Sequence, residues 1–183
     1  MASSDQGAIS IRPLTEADAV AYREVRLRGL REDPDAFGSS YADEAARPLE
    51  VAVERFRARL SAPDSFFLGA FDEGGELLGV VGFTRETGEK ERHKATITGM
   101  YVVPEARRRG LGRALLGETL ARARRLPGLA QVQLSVVTRK VAARALYASF
   151  GFAPWGLERQ ALKLGEEFLD EEHLVLFLAP PRS

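Results

Sequence analysis

The chain has 183 residues, 45% of them hydrophobic and 28% charged, enough for one domain with a real core. Its 26 basic and 26 acidic residues cancel, so overall charge argues against nucleic acid or an anionic membrane as partner. The absence of Cys excludes a thiol nucleophile, a disulfide and thiolate metal ligands.

Residues 1–8 read as a frayed start, without a basic region ahead of an apolar core. No apolar run approaches the roughly 18 residues of a membrane span, and the expected location is the cytoplasm. Residues 9–12 alternate like a short strand, and Pro13 ends it. Thr15 with Asp18 resembles a capping pair for a helix over 16–31 that buries Val20, Val25, Leu27 and Leu30 in part. Asp33-Pro34-Asp35 closes that helix, and Phe37 to Tyr41 lies in a long connection of the kind that often forms a lid. A second helix is expected over 49–60. Residues 66–71 and 77–83 are apolar and aromatic, and Asp72 to Glu76 joins them as a glycine-bearing hairpin loop.

After a polar turn at 87–94 the pattern alternates: strand 95–103, helix 112–126, strand 131–137, helix 141–149. Alternation of this kind implies crossover connections and parallel pairing. With the hairpin before it and a final apolar run at 174–178, the sheet must be mixed. Leu116, Leu120 and Ala123 recur at helical spacing as a core stripe. Gly117 inside that helix costs about 1 kcal/mol relative to Ala, with close packing as its only evident reason.

The most informative stretch is Thr98 to Leu116, in which an extended run stops at Pro104 and Gly110 and Gly112 precede a helix. The first turn of a helix has amides without intrahelical partners and a partial positive charge, so a glycine turn there suits phosphate. It is not a P-loop, because Arg113 stands where Lys is needed, nor a dinucleotide fingerprint, because Leu115 stands where a third small residue is needed. Arg-x-x-Gly-x-Gly, spelled by Arg107, Arg108, Arg109, Gly110, Leu111 and Gly112, resembles the pyrophosphate loop of the GNAT superfamily of acetyl-CoA-dependent N-acetyltransferases. A second segment, Ala142 to Phe152, resembles that family's A-x-x-L-Y-x-x-x-G-F hallmark, with Tyr147 at the Tyr.

The resemblance implies one α/β domain over 1–183, with a central mixed, mostly antiparallel sheet and about four flanking helices. It implies direct transfer of acetyl from acetyl-CoA to a primary amine of a small molecule, peptide or protein, without a metal, and it leaves a homodimer open. A non-catalytic CoA-binding sensor is the alternative. It places oxyanion donors on the backbone of Met100, Tyr101 and Val102, the pyrophosphate on Arg107 to Arg113, and a proton donor for the sulfur at Tyr147. Tyr147 with Leu146 and Phe150 also fits a core stripe.

An amine attacking a thioester needs donors for the oxygen, an acid for the sulfur and a route out for the ammonium proton. Two departures from the family pattern bear on this. Lys140 stands where many members have Asn at the pantetheine, and it either reaches a phosphate or does nothing there. Thr96 stands where some members have a Glu base, leaving Glu86, Glu105, Glu158 or a water relay. The resemblance also places two acidic segments, 32–44 and 166–172, beside the acceptor groove, where they would attract a cationic amine. His93 and His173 lack partners at a metal-binding spacing.

Overall fold

The computed structural model describes residues 8–178, so only Ala8 of the expected frayed start falls within it, its amide donating to Glu73 at 2.8 Å. Seven strands are present: β1 Ser10–Pro13, β2 Phe66–Phe71, β3 Leu77–Arg85, β4 Lys94–Val102, β5 Gln131–Val137, β6 Ala153–Leu164 and β7 Glu167–Phe177. Five α-helices accompany them: α1 Ala19–Glu32, α2 Tyr41–Ala45, α3 Leu49–Leu60, α4 Leu111–Ala123 and α5 Val141–Ser149. The strands form one sheet in the order β1-β2-β3-β4-β5-β7-β6. Only β4 and β5 pair in parallel; all other neighbours are antiparallel. The mixed sheet follows from the crossover through α4, as the alternation of elements implied.

Each face of the sheet is sealed by its own helices. Tyr22 of α1 stacks on Phe56 of α3 at 4.5 Å and meets Phe67 of β2 edge-on at 5.2 Å. Neighbouring residues of a strand point to opposite faces, so Phe66 lies on the other side, stacked on Phe83 at 4.7 Å. There α4 contributes Leu115, Leu116 and Leu120, all fully buried, each worth about 1.5–3 kcal/mol in transfer from water.

Four details depart from the sequence reading. Val20 is 48% exposed, because α1 turns Tyr22, Val25 and Leu30 inward instead. The stretch between α1 and α3 contains a 3-10 turn, Pro34–Ala36, and the short helix α2, whose N-cap Ser40 accepts from the Asp43 amide at 3.0 Å. Residues 153–164 form a strand that went unrecognised, and residues 167–172 belong to β7 instead of a connection. The turn between these last strands is the pair Gly165 and Glu166.

The entry to α1 is held by one carboxylate. Asp18 accepts from the Thr15 amide at 2.7 Å and its hydroxyl at 3.0 Å, and from both Arg12 terminal nitrogens at 2.7 and 2.9 Å. The Arg12 hydrogen bond pulls the carboxyl down to about 2 from 3.8, against the cost of its burial. Asp18→Asn is expected to cost about 1–2 kcal/mol, the worth of such a cap and its charged hydrogen bond. A carboxylate whose folded pKa lies below its unfolded value contributes stability above about pH 4 and loses it as the pH falls toward 2. Thermal unfolding across that window should therefore show a flatter pH dependence in the variant. Gly117, by contrast, is not required by packing, since a Cβ there would meet the Phe150 ring at an ordinary 3.7 Å. Gly117→Ala should raise stability by about 0.5–1 kcal/mol in denaturant titration.

Candidate functional site

The site begins where two parallel strands part. β4 and β5 share only three pairs, from Lys94 opposite Gln131 to Thr96 opposite Gln133. Beyond them β4 follows β3 and β5 follows β7. On β4 the path is bent by an extra residue, because Thr98 faces Gly82 while Tyr101 faces Val80. Gly99 sits in that bulge at φ 61°, a left-handed conformation that glycine adopts without steric cost. The opening is a cavity of about 320 Å³ with Thr98, Gly99 and Met100 on one wall, Ser135 and Val137 on the other, and Tyr147 and Glu171 beside them.

A second groove, about 450 Å³, runs over the turn between β4 and α4, lined by Met100, Tyr101, Val102, Arg107, Arg108, Gly110, Leu111, Gly112 and Arg113. Met100, Ala143 and Asp33 line both spaces, which are therefore adjoining. Arg108 at φ 60° and Gly110 at φ 80° are both left-handed, and Gly110 is the N-cap of α4. The first intrahelical bond runs from the Ala114 amide to Gly110 at 2.9 Å, so the amides of Leu111, Gly112 and Arg113 are left for another acceptor. A Cβ on Gly110 would meet nothing within 4 Å, so its constraint is conformational. One on Gly112 would stand 3.2 Å from the Met100 methyl.

The arginines of the loop divide by role. Arg107 donates to the Val102 carbonyl at 2.9 Å and lies 5.5 Å from the Tyr101 ring centre, so it fastens the loop to the strand. Arg113 donates to Ser149 at 3.1 Å and lies over Phe150, joining α4 to α5. Arg108 borders the groove, whereas Arg109 is exposed and outside its lining. Free helix amides with Arg108 and Arg113 nearby fit a pyrophosphate in charge and in donor chemistry.

Tyr147 is both packed and aimed at the cavity. Its ring meets Phe152 edge-on at 5.9 Å, and its hydroxyl lies 3.9 Å from the Met100 sulfur. Burial pushes its pKa up to about 12, so it is a protonated donor at neutral pH. Lys140 is engaged away from the glycine turn: its ammonium bridges Asp33 and, at 2.6 Å, Asp35. Arg139 joins them, 2.6 Å from Asp35 and 2.8 Å from Glu167. Burial opposes ionisation of Asp35, but hydrogen bonds from Lys140 and Arg139 hold its pKa at about 2.

These pairs alter the expectation of acidic rims. Asp33, Asp35 and Glu167 are ion-paired as above, and Glu172 is held by Arg144 at 2.8 Å. Among the expected bases, Glu105 is clamped by Arg28 at 2.5 and 2.7 Å, Glu158 sits 3.0 Å from His173, and Glu86 accepts from Thr96 at 3.4 Å. None of these three lines the cavity. Glu171 does, and it has no ion-pair partner among the described residues. Arg26 of α1 and Arg59 of α3, which the motifs did not single out, line it as well.

Comparison with known proteins agrees with this architecture. A family model described as acetyltransferase (GNAT) family matches residues 21–152. The N-alpha-acetyltransferase RimI of Mycobacterium tuberculosis is 38% identical over 105 residues, 57% of this chain and 63% of that protein, so the match spans less than two thirds of this relative. The solved ribosomal-protein-alanine N-acetyltransferase of Brucella melitensis is 25% identical with a TM-score of 0.79, over 92% of this chain and 99% of its own. The structure of yncA from Salmonella typhimurium with its cofactor acetyl-CoA shares the fold at a TM-score of 0.81 and 21% identity, covering 96% of this chain and 97% of its own. With a family match over most of its length and the glycine turn and Tyr147 segment inside it, this chain belongs to the acetyltransferase (GNAT) family.

Proposed function

We propose that the chain transfers the acetyl group of acetyl-CoA directly to a primary amine, and that the amine is an α-amine, as the name of the N-alpha-acetyltransferase RimI states for that protein. The observation that carries this reading is the shared wall at Met100. There the groove over the α4 N-terminus adjoins the cavity between β4 and β5, with the Tyr147 hydroxyl 3.9 Å from the Met100 sulfur. The amides at 111–113 with Arg108 and Arg113 would hold the pyrophosphate, and the bound co-substrate supplies an activated acetyl thioester. The β4 backbone at Met100, Tyr101 and Val102 donates to the carbonyl oxygen as negative charge grows on it. Tyr147 gives its proton to the departing sulfur. Glu171 accepts the proton that the acceptor ammonium must lose before its nitrogen can attack, directly or through water. With no Cys in the chain, transfer proceeds without a thiol acyl-enzyme. Lys140 holds the 33–35 turn against the N-terminus of α5 through Asp33 and Asp35.

Release of CoA, followed with a free-thiol reagent over a panel of amines, tests the proposal. Binding of acetyl-CoA without amine-dependent release would instead support the non-catalytic sensor, which Thr96 in place of a strand carboxylate favours. Three further outcomes are expected. Tyr147→Phe should lower kcat by about 10² to 10⁴ with melting temperature and acetyl-CoA affinity little changed; a lost melting temperature with near-normal kcat would make Tyr147 only a packing residue. Because the Tyr147 pKa is raised to about 12, kcat should show no alkaline fall from this group up to about pH 10. Gly110→Val should weaken acetyl-CoA in calorimetric titration far more than Arg108→Ala, since a branched residue is strained at φ 80° while Arg108 adds a screened charge.

A further inference from the structure

Behind the acceptor cavity lies a second one of about 230 Å³, between α1, α2 and α3, and Tyr22, Arg26 and Arg59 line both. Its lining holds five arginines, Arg23, Arg26, Arg47, Arg55 and Arg59, against a single carboxylate, Glu44. Glu44 is already taken, 2.6 Å from Arg47. Among the described residues none of the other four has a carboxylate partner. Arg26 donates to Ser39 at 3.1 Å, and Arg59 lies 4.4 Å above the Phe67 ring. Arg23 donates to the Arg47 carbonyl at 2.8 Å, yet its Nε is buried with no hydrogen-bond partner among the described residues. A buried charged donor without an acceptor is costly, and clustered guanidiniums repel one another. An anion bound by Arg26 and Arg59 offsets that repulsion.

The cluster is placed where an acceptor would feel it. A Cβ on Gly99 would lie 3.5 Å from Arg26 Nη1, so this guanidinium sits over the β4 bulge, and Arg59 Nη2 is 3.5 Å from the Thr98 hydroxyl. Thr98 and Met100 are two residues apart, a span of at most about 7 Å. Glu171 borders the same cavity from β7.

We propose that the acceptor is a small zwitterion: its amine faces Tyr147 and Glu171, and a carboxylate a few bonds away is bound by Arg26 and Arg59 at the mouth of the arginine-lined cavity. The inference rests on the acetyl-transfer reading and deepens it. It replaces the cationic acceptor expected from the acidic segments, in which Asp33, Asp35, Glu167 and Glu172 are paired with Lys140, Arg139 and Arg144.

The test compares free amino acids with their carboxamides as acceptors under saturating acetyl-CoA, with amino-phosphonates as a third arm to separate a carboxylate site from a phosphate-like one. An amide lowers the basicity of its own amine, so chemistry alone would favour the amides at neutral pH. A preference for the free acids would therefore come from the protein. The expected result is such a preference, lowered about 10- to 100-fold in kcat/KM ratio by Arg26→Gln, as for loss of a charged hydrogen bond, and partly restored by Arg26→Lys. Arg122→Gln, which removes an equal charge from the Arg122–Glu118 pair of α4, should leave the ratio alone. Amides accepted as well as acids, or a ratio insensitive to Arg26, would overturn the proposal, and a preference for phosphonates would reassign it. If no amine is acetylated at all, the transfer reading fails on its own. The anion site is then judged by melting temperature: stabilisation by N-acetylglycine that is lost in Arg26→Gln upholds it, and no stabilisation overturns it.

Discussion

The cleft in this chain depends on two neighbouring strands failing to stay paired. A parallel ladder continues as long as both backbones keep in step; on β4 the extra residue at Gly99 breaks that step on the β3 side, and β4 leaves β5 after Thr96. A sheet that had remained closed would place buried side chains where the cavity now lies. The same bulge lies on the wall of the opening, which Thr98, Gly99 and Met100 line. The crossover that delivers β5 also requires a helix after β4, so the N-terminus of α4 arrives beside the cleft by topology.

Electrostatics then decides what the opening can accept. Lys140 sits at the start of α5 and gathers two carboxylates from a turn more than a hundred residues away in sequence, closing one flank of the cavity with compensated charge. Half-buried carboxylates beside each other would repel, so the cation is as much a structural requirement as a functional one. It also explains why this position does not carry the Asn that the family resemblance led one to expect.

The glycine turn and the Tyr147 segment were legible in the sequence because their chemistry is local. Pro104 fixes its own φ, and Gly110 permits a left-handed turn that other residues adopt only with strain. The helix over 49–60 and the hairpin around Asp72 were legible for the same reason. What escaped was non-local. β6 is an edge strand, exposed for most of its length and broken by register shifts, so Ala153–Leu164 shows neither an apolar run nor a clean alternation; Pro154, Arg159 and Lys163 along it are what an unpaired edge needs to resist pairing with another chain. Val20 looked like part of an apolar stripe, yet the stripe that packs runs through Tyr22 and Val25. The pairing of Asp33 and Asp35 with Lys140 could not be read from spacing at all.

A formal net charge of zero conceals a strong segregation. On the α5 and β7 side of the cavity the acids Asp33, Asp35, Glu167 and Glu172 are each paired with Lys140, Arg139 or Arg144, four carboxylates to three cations, and Glu171 on the wall has no such partner among the described residues. On the α1 and α3 side the excess is basic, with Arg26 and Arg59 lining the opening and the Nε of Arg23 buried behind them. A cavity with one unpaired acid on one flank and unpaired guanidiniums on the other carries a dipole across its width. Within a site partly shielded from water such a field is screened less than on the open surface. It orients a molecule that bears both signs and gains little from one that bears a single sign, because a lone cation is repelled by the arginines and a lone anion by Glu171. The selectivity inferred for this site thus follows from where the paired charges end, which no count of charged residues along the chain could have revealed.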